Sequence, residues 1–183
     1  MTTVSTAALG DGLSVVLAAV PDPWRWQAHP EVWFLVGAVV LLGWWATRVI
    51  GPRVVAVGEP VTTPFQRRAF VAATVLLLVS ADWPVHDIAE AHLYAVHMLQ
   101  HMAITFIVPP LFLLAMPAWL ARLLVLEGGW GSRLLRRLAH PVVAGVLFNA
   151  LTAITHWSGI VQWSFDSGAF HYSVHLLLFG SAL

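Results

Sequence analysis

The sequence predicts an all-α fold, a polytopic transmembrane helix bundle. Three observations predict it. The 183 residues are 59% hydrophobic and 10% charged, with a mean hydropathy of +0.80, whereas a soluble domain carries about 25% charged residues. The apolar residues are gathered into long segments, several close to the roughly 20 residues that a helix needs to cross a bilayer. Those segments are separated by Pro, Gly, Arg and Asp clusters of the kind that stop and start helices.

The chain divides into an extracytoplasmic or interfacial segment over residues 1–31 and a single transmembrane domain over 32–183. Met1 to Gly10 holds no Arg or Lys, and the apolar stretch Leu13–Val20 is short, so a signal peptide is not predicted. Residues 21–31 are turn-rich and aromatic and read as an interface. The first span is predicted over 32–50 and the second over 65–83. Asp82 reads as a helix N-cap with Pro84 in the first turn. The third span is predicted over 90–116, on a helix running unbroken to Val108, where Pro109-Pro110 should kink or interrupt it. Residues 117–141 read as a loop carrying an amphipathic piece (Trp119 to Leu126), a Gly-Gly break and Arg133, Arg136 and Arg137. The fourth span is predicted over 142–160, with Val161 to Ala169 a polar turn. The fifth covers 171–183. Its thirteen residues cannot cross a bilayer as a straight helix, which makes the chain a fragment by expectation.

Arg placement predicts the orientation. Arg48, Arg53, Arg67 and Arg68 follow span one, and Arg122, Arg133, Arg136 and Arg137 follow span three. The other two connections hold none. Eight of nine Arg therefore fall on one side, read as cytoplasmic, with the N-terminus outside. The acidic residues mirror this, with only Glu59 and Glu127 inside.

The histidines then fall on the other side. His29, His86, His92, His97, His101, His156, His171 and His175 are all placed towards the extracytoplasmic face, and only His140 is cytoplasmic. Within the third span, His97-Met98-Leu99-Gln100-His101-Met102 sets two His and two Met each four residues apart, on adjacent helix faces. His101 lies about 6 Å deeper than His97. On a wheel of about 100° per residue, Glu90, His97 and His101 fall about 40°, 20° and 60° from His86, one polar stripe on an apolar helix. His171 and His175 repeat the spacing at matching depth. Ionisable groups inside a membrane are costly and mark function by default.

Two His-x3-His pairs can supply four imidazoles to one ion, which fits copper or zinc. His97, His101, His171 and His175 are the candidate ligands. His86, Glu90 and His156 are candidate capture or orienting groups, with Met98 and Met102 as possible thioether ligands to Cu(I) or core filler. Asn149 and Thr152, on the stripe that leads to His156, read as packing residues. A haem site is an alternative, although neighbours at i+4 would crowd a porphyrin. A metal-free scaffold that uses the stripes for helix packing is another, and a proton pathway would need polar groups in the cytoplasmic halves that are scarce here. With no Cys, disulfides, thiolate sites and iron–sulfur clusters are excluded. Nor is there a nucleophile–base arrangement, a phosphate-cradling Gly loop or an acid pair suited to hydrolysis, so no enzyme is predicted. Zero net charge and the absence of a basic domain argue against a nucleic-acid partner.

Several motifs carry a resemblance. Trp83-Pro84-Val85-His86-Asp87-Ile88-Ala89, Tyr94-Ala95-Val96-His97-Met98-Leu99-Gln100-His101-Met102, Pro109-Pro110-Leu111 and Met116-Pro117-Ala118-Trp119-Leu120 resemble the CtaG family of cytochrome c oxidase assembly factors. His140-Pro141-Val142-Val143, Phe148-Asn149-Ala150, Thr155-His156-Trp157 and the His171/His175 pair match as well. The resemblance implies a multi-pass protein of the bacterial plasma membrane. It also implies cytochrome c oxidase subunits and the lipid bilayer as partners, and a part in supplying copper. Family members have about seven spans, so the last ones are expected beyond Leu183.

Overall fold

The computed structural model describes residue 22 and residues 24–126 and 129–183; the expected interfacial segment 1–31 therefore lies largely outside the described residues. Among the described residues all regular structure is helical. We number the helices α1 (Pro30–Val54), α2 (Pro64–Ala81), α3 (Val85–Ala91), α4 (Tyr94–Ala115), α5 (Ala118–Val125), α6 (Trp130–Leu138), α7 (Pro141–Thr155), α8 (Ser158–Asp166) and α9 (Gly168–Ala182).

Two helices, α1 and α4, are by themselves long and apolar enough to cross a membrane. Two bent pairs raise the number to four if each is one span: α2 with α3, bent by 40°, and α6 with α7, bent by 74°. The five expected spans thus become two to four, because α7 and α9 have 15 residues each and neither reaches bilayer length alone.

Local chemistry sets the ends. Pro30 and Pro64 occupy the first turns of α1 and α2, where a missing N–H costs nothing. Thr63 and Gln66 form a reciprocal cap on α2: Thr63 Oγ1 accepts from the Gln66 amide at 3.2 Å, and Gln66 Oε1 accepts from the Thr63 amide at 2.9 Å. Asp82 is not an N-cap as expected. Its carboxylate instead accepts from the Trp83 amide at 2.9 Å and from the Trp33 indole at 2.8 Å, pinning the end of α2 to α1.

The third span departs from expectation in two ways. The helix breaks at His92-Leu93, where Leu93 turns extended, so His86 and Glu90 lie on α3 while His97 and His101 lie on α4. Pro109 and Pro110 do not interrupt α4. A π-helical turn at Ala103–Ile107 precedes them, and the prolines fall in the first turn of the α-helical piece that follows, where their lack of an N–H is tolerated. Thr105 Oγ1 donates to the His101 carbonyl at 2.6 Å inside that turn. A second π turn, Ala46–Ile50 in α1, has the same device: Thr47 Oγ1 donates to the Gly43 carbonyl at 2.8 Å.

The loop expected over 117–141 is largely helical, forming α5 and α6, because its Leu and Arg residues are good helix formers with an apolar side to cover. The polar turn expected over 161–169 is mostly α8; the chain turns instead at His156-Trp157 and again at Ser167, whose side chain caps α9.

The core joins α2 to α4. Ala73, Leu77, Ile104 and Val108 form a buried cluster, with Val36 of α1 and Phe179 of α9 against it. Ala69 and Ala73, four apart on α2, let the backbones approach closely, as small residues do in membrane helices. Gly43 does the same between α1 and α2: a Cβ there would stand 2.7 Å from the Phe70 ring.

The loop after α1 and the loop after α4 meet at one end, where the Trp119 indole donates to the Val61 carbonyl at 2.9 Å and Gln66 Nε2 to the Met116 carbonyl at 3.4 Å. The arginines of both connections are therefore gathered at that end. His29, His86, Asp87, Glu90 and His171 gather at the other.

Candidate functional site

The four predicted ligands come together although they lie on two helices far apart in sequence. α4 presents His97 and Gln100 on its buried face, and α9 presents His171 with Val174 and Leu178 at i, i+3, i+7. Ring centroids of His101 and His175 are 4.3 Å apart, with planes 22° from parallel. His97 lies 4.5 Å from His101, 5.8 Å from His171 and 6.4 Å from His175. His171 and His175 bring their Nε2 atoms to 2.9 Å, so one donates and the other accepts. The Nδ1 atom of His175 is buried and has no partner.

A small cavity of about 60 Å³ opens on this cluster, and Met98, Ser164, Thr155 and His156 also line it. His156 closes α7, and its Nδ1 lies 2.7 Å from the Thr152 carbonyl, which leaves Nε2 free. Asn149 and Thr152 bond back to their own helix, to the Gly145 and Phe148 carbonyls at 2.8 Å each. Met102 points away and is 57% exposed.

A second group lies beside the first, around α3. His86 is 4% exposed. Its Nδ1 faces Gln100 Nε2 at 3.1 Å, and its Nε2 lies 3.3 Å from the Tyr172 hydroxyl, which donates to Glu31 at 2.9 Å. His29 stands between Glu31 at 3.3 Å and Asp87 at 3.4 Å. Glu90 links the two groups: one carboxylate oxygen is 3.6 Å from His86 Nε2 and 3.3 Å from His171 Nε2. Ser164 holds the other side of His171, at 2.9 Å from Nδ1.

The wheel drawn through His86, Glu90, His97 and His101 assumed one helix, and the break at His92-Leu93 removes that assumption. The residues still converge, through Gln100 and the α9 contacts. Sequence reasoning missed His29, Glu31, Asp87, Gln100, Ser164 and Tyr172. Their partners lie on other helices, and only the Gln between the paired His gave a local sign.

Imidazole nitrogens are the right donors for a borderline ion such as copper or zinc. The 2.9 Å between the His171 and His175 nitrogens is near the roughly 3.3 Å that separates two nitrogens bonded at about 2.0–2.1 Å to one tetrahedral ion. The orphaned Nδ1 of His175 adds a free lone pair or proton. The donors are of the kind that suits a metal ion, and one pair is near the spacing that ligation needs. It is not a finished cage: among the described residues no three His, Asp or Glu side chains are arranged to hold an ion as they stand.

No curated protein and no solved structure matches the chain. A family model described as cytochrome c oxidase caa3 assembly factor matches residues 45–183, well over half of the chain and the whole of the four-histidine cluster, and the chain belongs to that family.

Proposed function

We propose that the chain serves oxidase assembly by binding copper at the histidine end of the bundle and passing it on to the oxidase. The convergence of His97 and His101 on α4 with His171 and His175 on α9 carries this reading. In hydrocarbon four imidazoles repay their desolvation poorly by packing alone, and metal ligation is a use that needs all four. An open donor set suits an ion held in transit, since little has to be dismantled for its release. His86, Glu90 and His156 flank the cluster as orienting or capture groups, and Met98 lines its cavity.

The Arg-rich end is the cytoplasmic one under the positive-inside rule, so copper is taken up and released on the extracytoplasmic side of a bacterial plasma membrane. A haem reading is disfavoured by size: stacked rings 4.3 Å apart and a cavity of about 60 Å³ leave no slot for a porphyrin.

The test is copper per protein in the purified chain and in the His97→Ala/His101→Ala variant. About one equivalent in the first and a near-complete loss in the second is expected. Equal, near-zero copper in both would sink the reading in favour of a metal-free scaffold.

A further inference from the structure

A second, larger cavity shares His175 with the small one. It is a slot of about 390 Å³ between α1 and α9, with α2 and α4 behind it. Its walls are apolar: Phe34, Leu35 and Ala38 of α1, Leu77 of α2, Ile104 of α4 and Phe179 of α9. Phe34 and Leu176 on its rim are 81% and 60% exposed, so the slot is open between α1 and α9. One end is polar. Glu31, His86, Gln100, Tyr172 and His175 line it, and the Tyr172–Glu31 hydrogen bond closes it.

Two polar atoms on this lining are buried without partners, Gln100 Oε1 and His175 Nδ1. A buried polar atom without a partner is costly, so a ligand that satisfies these is favoured. The Gln100 carboxamide spends one end on His86, and whichever way it faces, its other end lacks a partner. That end accepts from a hydroxyl or donates to a carbonyl according to its orientation.

An apolar channel ending in such groups matches a molecule with a long hydrocarbon tail and a flat ring bearing opposed oxygens. We propose that the slot binds the head of an isoprenoid quinone or quinol. One ring oxygen meets Gln100, the edge of the ring lies against His175, and the tail leaves between Phe34 and Leu176. The volume falls within the range of pockets that hold small organic ligands, about 300–1,000 Å³. His175 belongs to both the slot and the four-histidine cluster. Occupancy of the slot is therefore felt at the cluster, but binding itself does not depend on copper.

The experiment is a calorimetric titration of the metal-free, detergent-purified chain with a short-tailed quinone, decyl-ubiquinone. One equivalent is expected to bind. Ala38→Phe fills the slot without touching its polar end and is expected to weaken binding at least tenfold, with the helical circular dichroism spectrum retained. Gln100→Leu removes the unpartnered carboxamide and is expected to cost about tenfold, roughly 1.4 kcal/mol. Dodecanol, which has the tail but not the ring, is expected not to compete. Absence of binding, undiminished binding in both variants, or displacement by dodecanol at equal concentration would each overturn the proposal, the last by showing that the slot takes an acyl chain. Copper stoichiometry is read separately, so the two readings fail independently.

Discussion

Glu90 and His171 meet across the boundary between α3 and α9, carboxylate oxygen to Nε2 at 3.3 Å, and the same oxygen lies 3.6 Å from His86. One carboxylate thus joins the group of histidines around α3 to the four on α4 and α9. Glu90→Gln keeps the shape and removes the charge. Copper affinity is expected to fall about tenfold, the lower end of what groups that orient metal ligands contribute, because the carboxylate is nearly half exposed. A competition titration against a chelator of known affinity measures it.

Protonation would compete with copper for the imidazole nitrogens of the proposed site. A metal takes only the unprotonated form of an imidazole. Copper retention is expected to be highest near neutral pH and to fall on acidification. Dialysis at pH 7.5 and pH 5 with metal analysis checks the sign; retention that rises in acid would contradict imidazole ligation.

Ala73 is fully buried where α2 crosses α4. Ala73→Leu forces extra methylene groups into that contact, a change that costs about 1–3 kcal/mol in a packed interior. The midpoint of thermal unfolding in detergent is expected to drop by several degrees. Leu113→Ala, at an exposed position on the same helix pair, is expected to leave it nearly unchanged.

Orientation is open to a direct measurement. A reporter enzyme active only outside the cytoplasm is expected to be active when fused after His92 and inactive when fused after Gly129. The reverse pattern would place the histidine cluster on the cytoplasmic side.

Helical class, the pairing of His97 with His101 and of His171 with His175, and the gathering of Arg at one end were legible in the sequence. Each rests on composition or on spacing within one helix. The break at His92-Leu93 was not, since neither residue is a helix breaker; it arises from how α3 and α4 pack rather than from local propensity. The prolines misled for the opposite reason: alone they forbid an α-helical turn, but the π turn before them supplies one that needs no proline N–H. Tyr172, Glu31 and Gln100 stayed invisible because their roles come from contacts between α1, α4 and α9. No single-helix pattern encodes such contacts.

That π turn also acts as a gear between two halves of α4. A π turn carries one residue more than the α-helical turn it replaces, and one residue is worth about 100° of rotation. Val108 below the turn packs against Ala73 and Leu77 of α2, and His101 above it stacks on His175 of α9. Deleting Thr105 would re-phase the upper half against the lower one, swinging both imidazoles out of register with His171 and His175 and turning Ile104 away from Ala73 and Leu77. One extra residue in α4 therefore sets both the packing of Ile104 against α2 and the register of the histidines with α9.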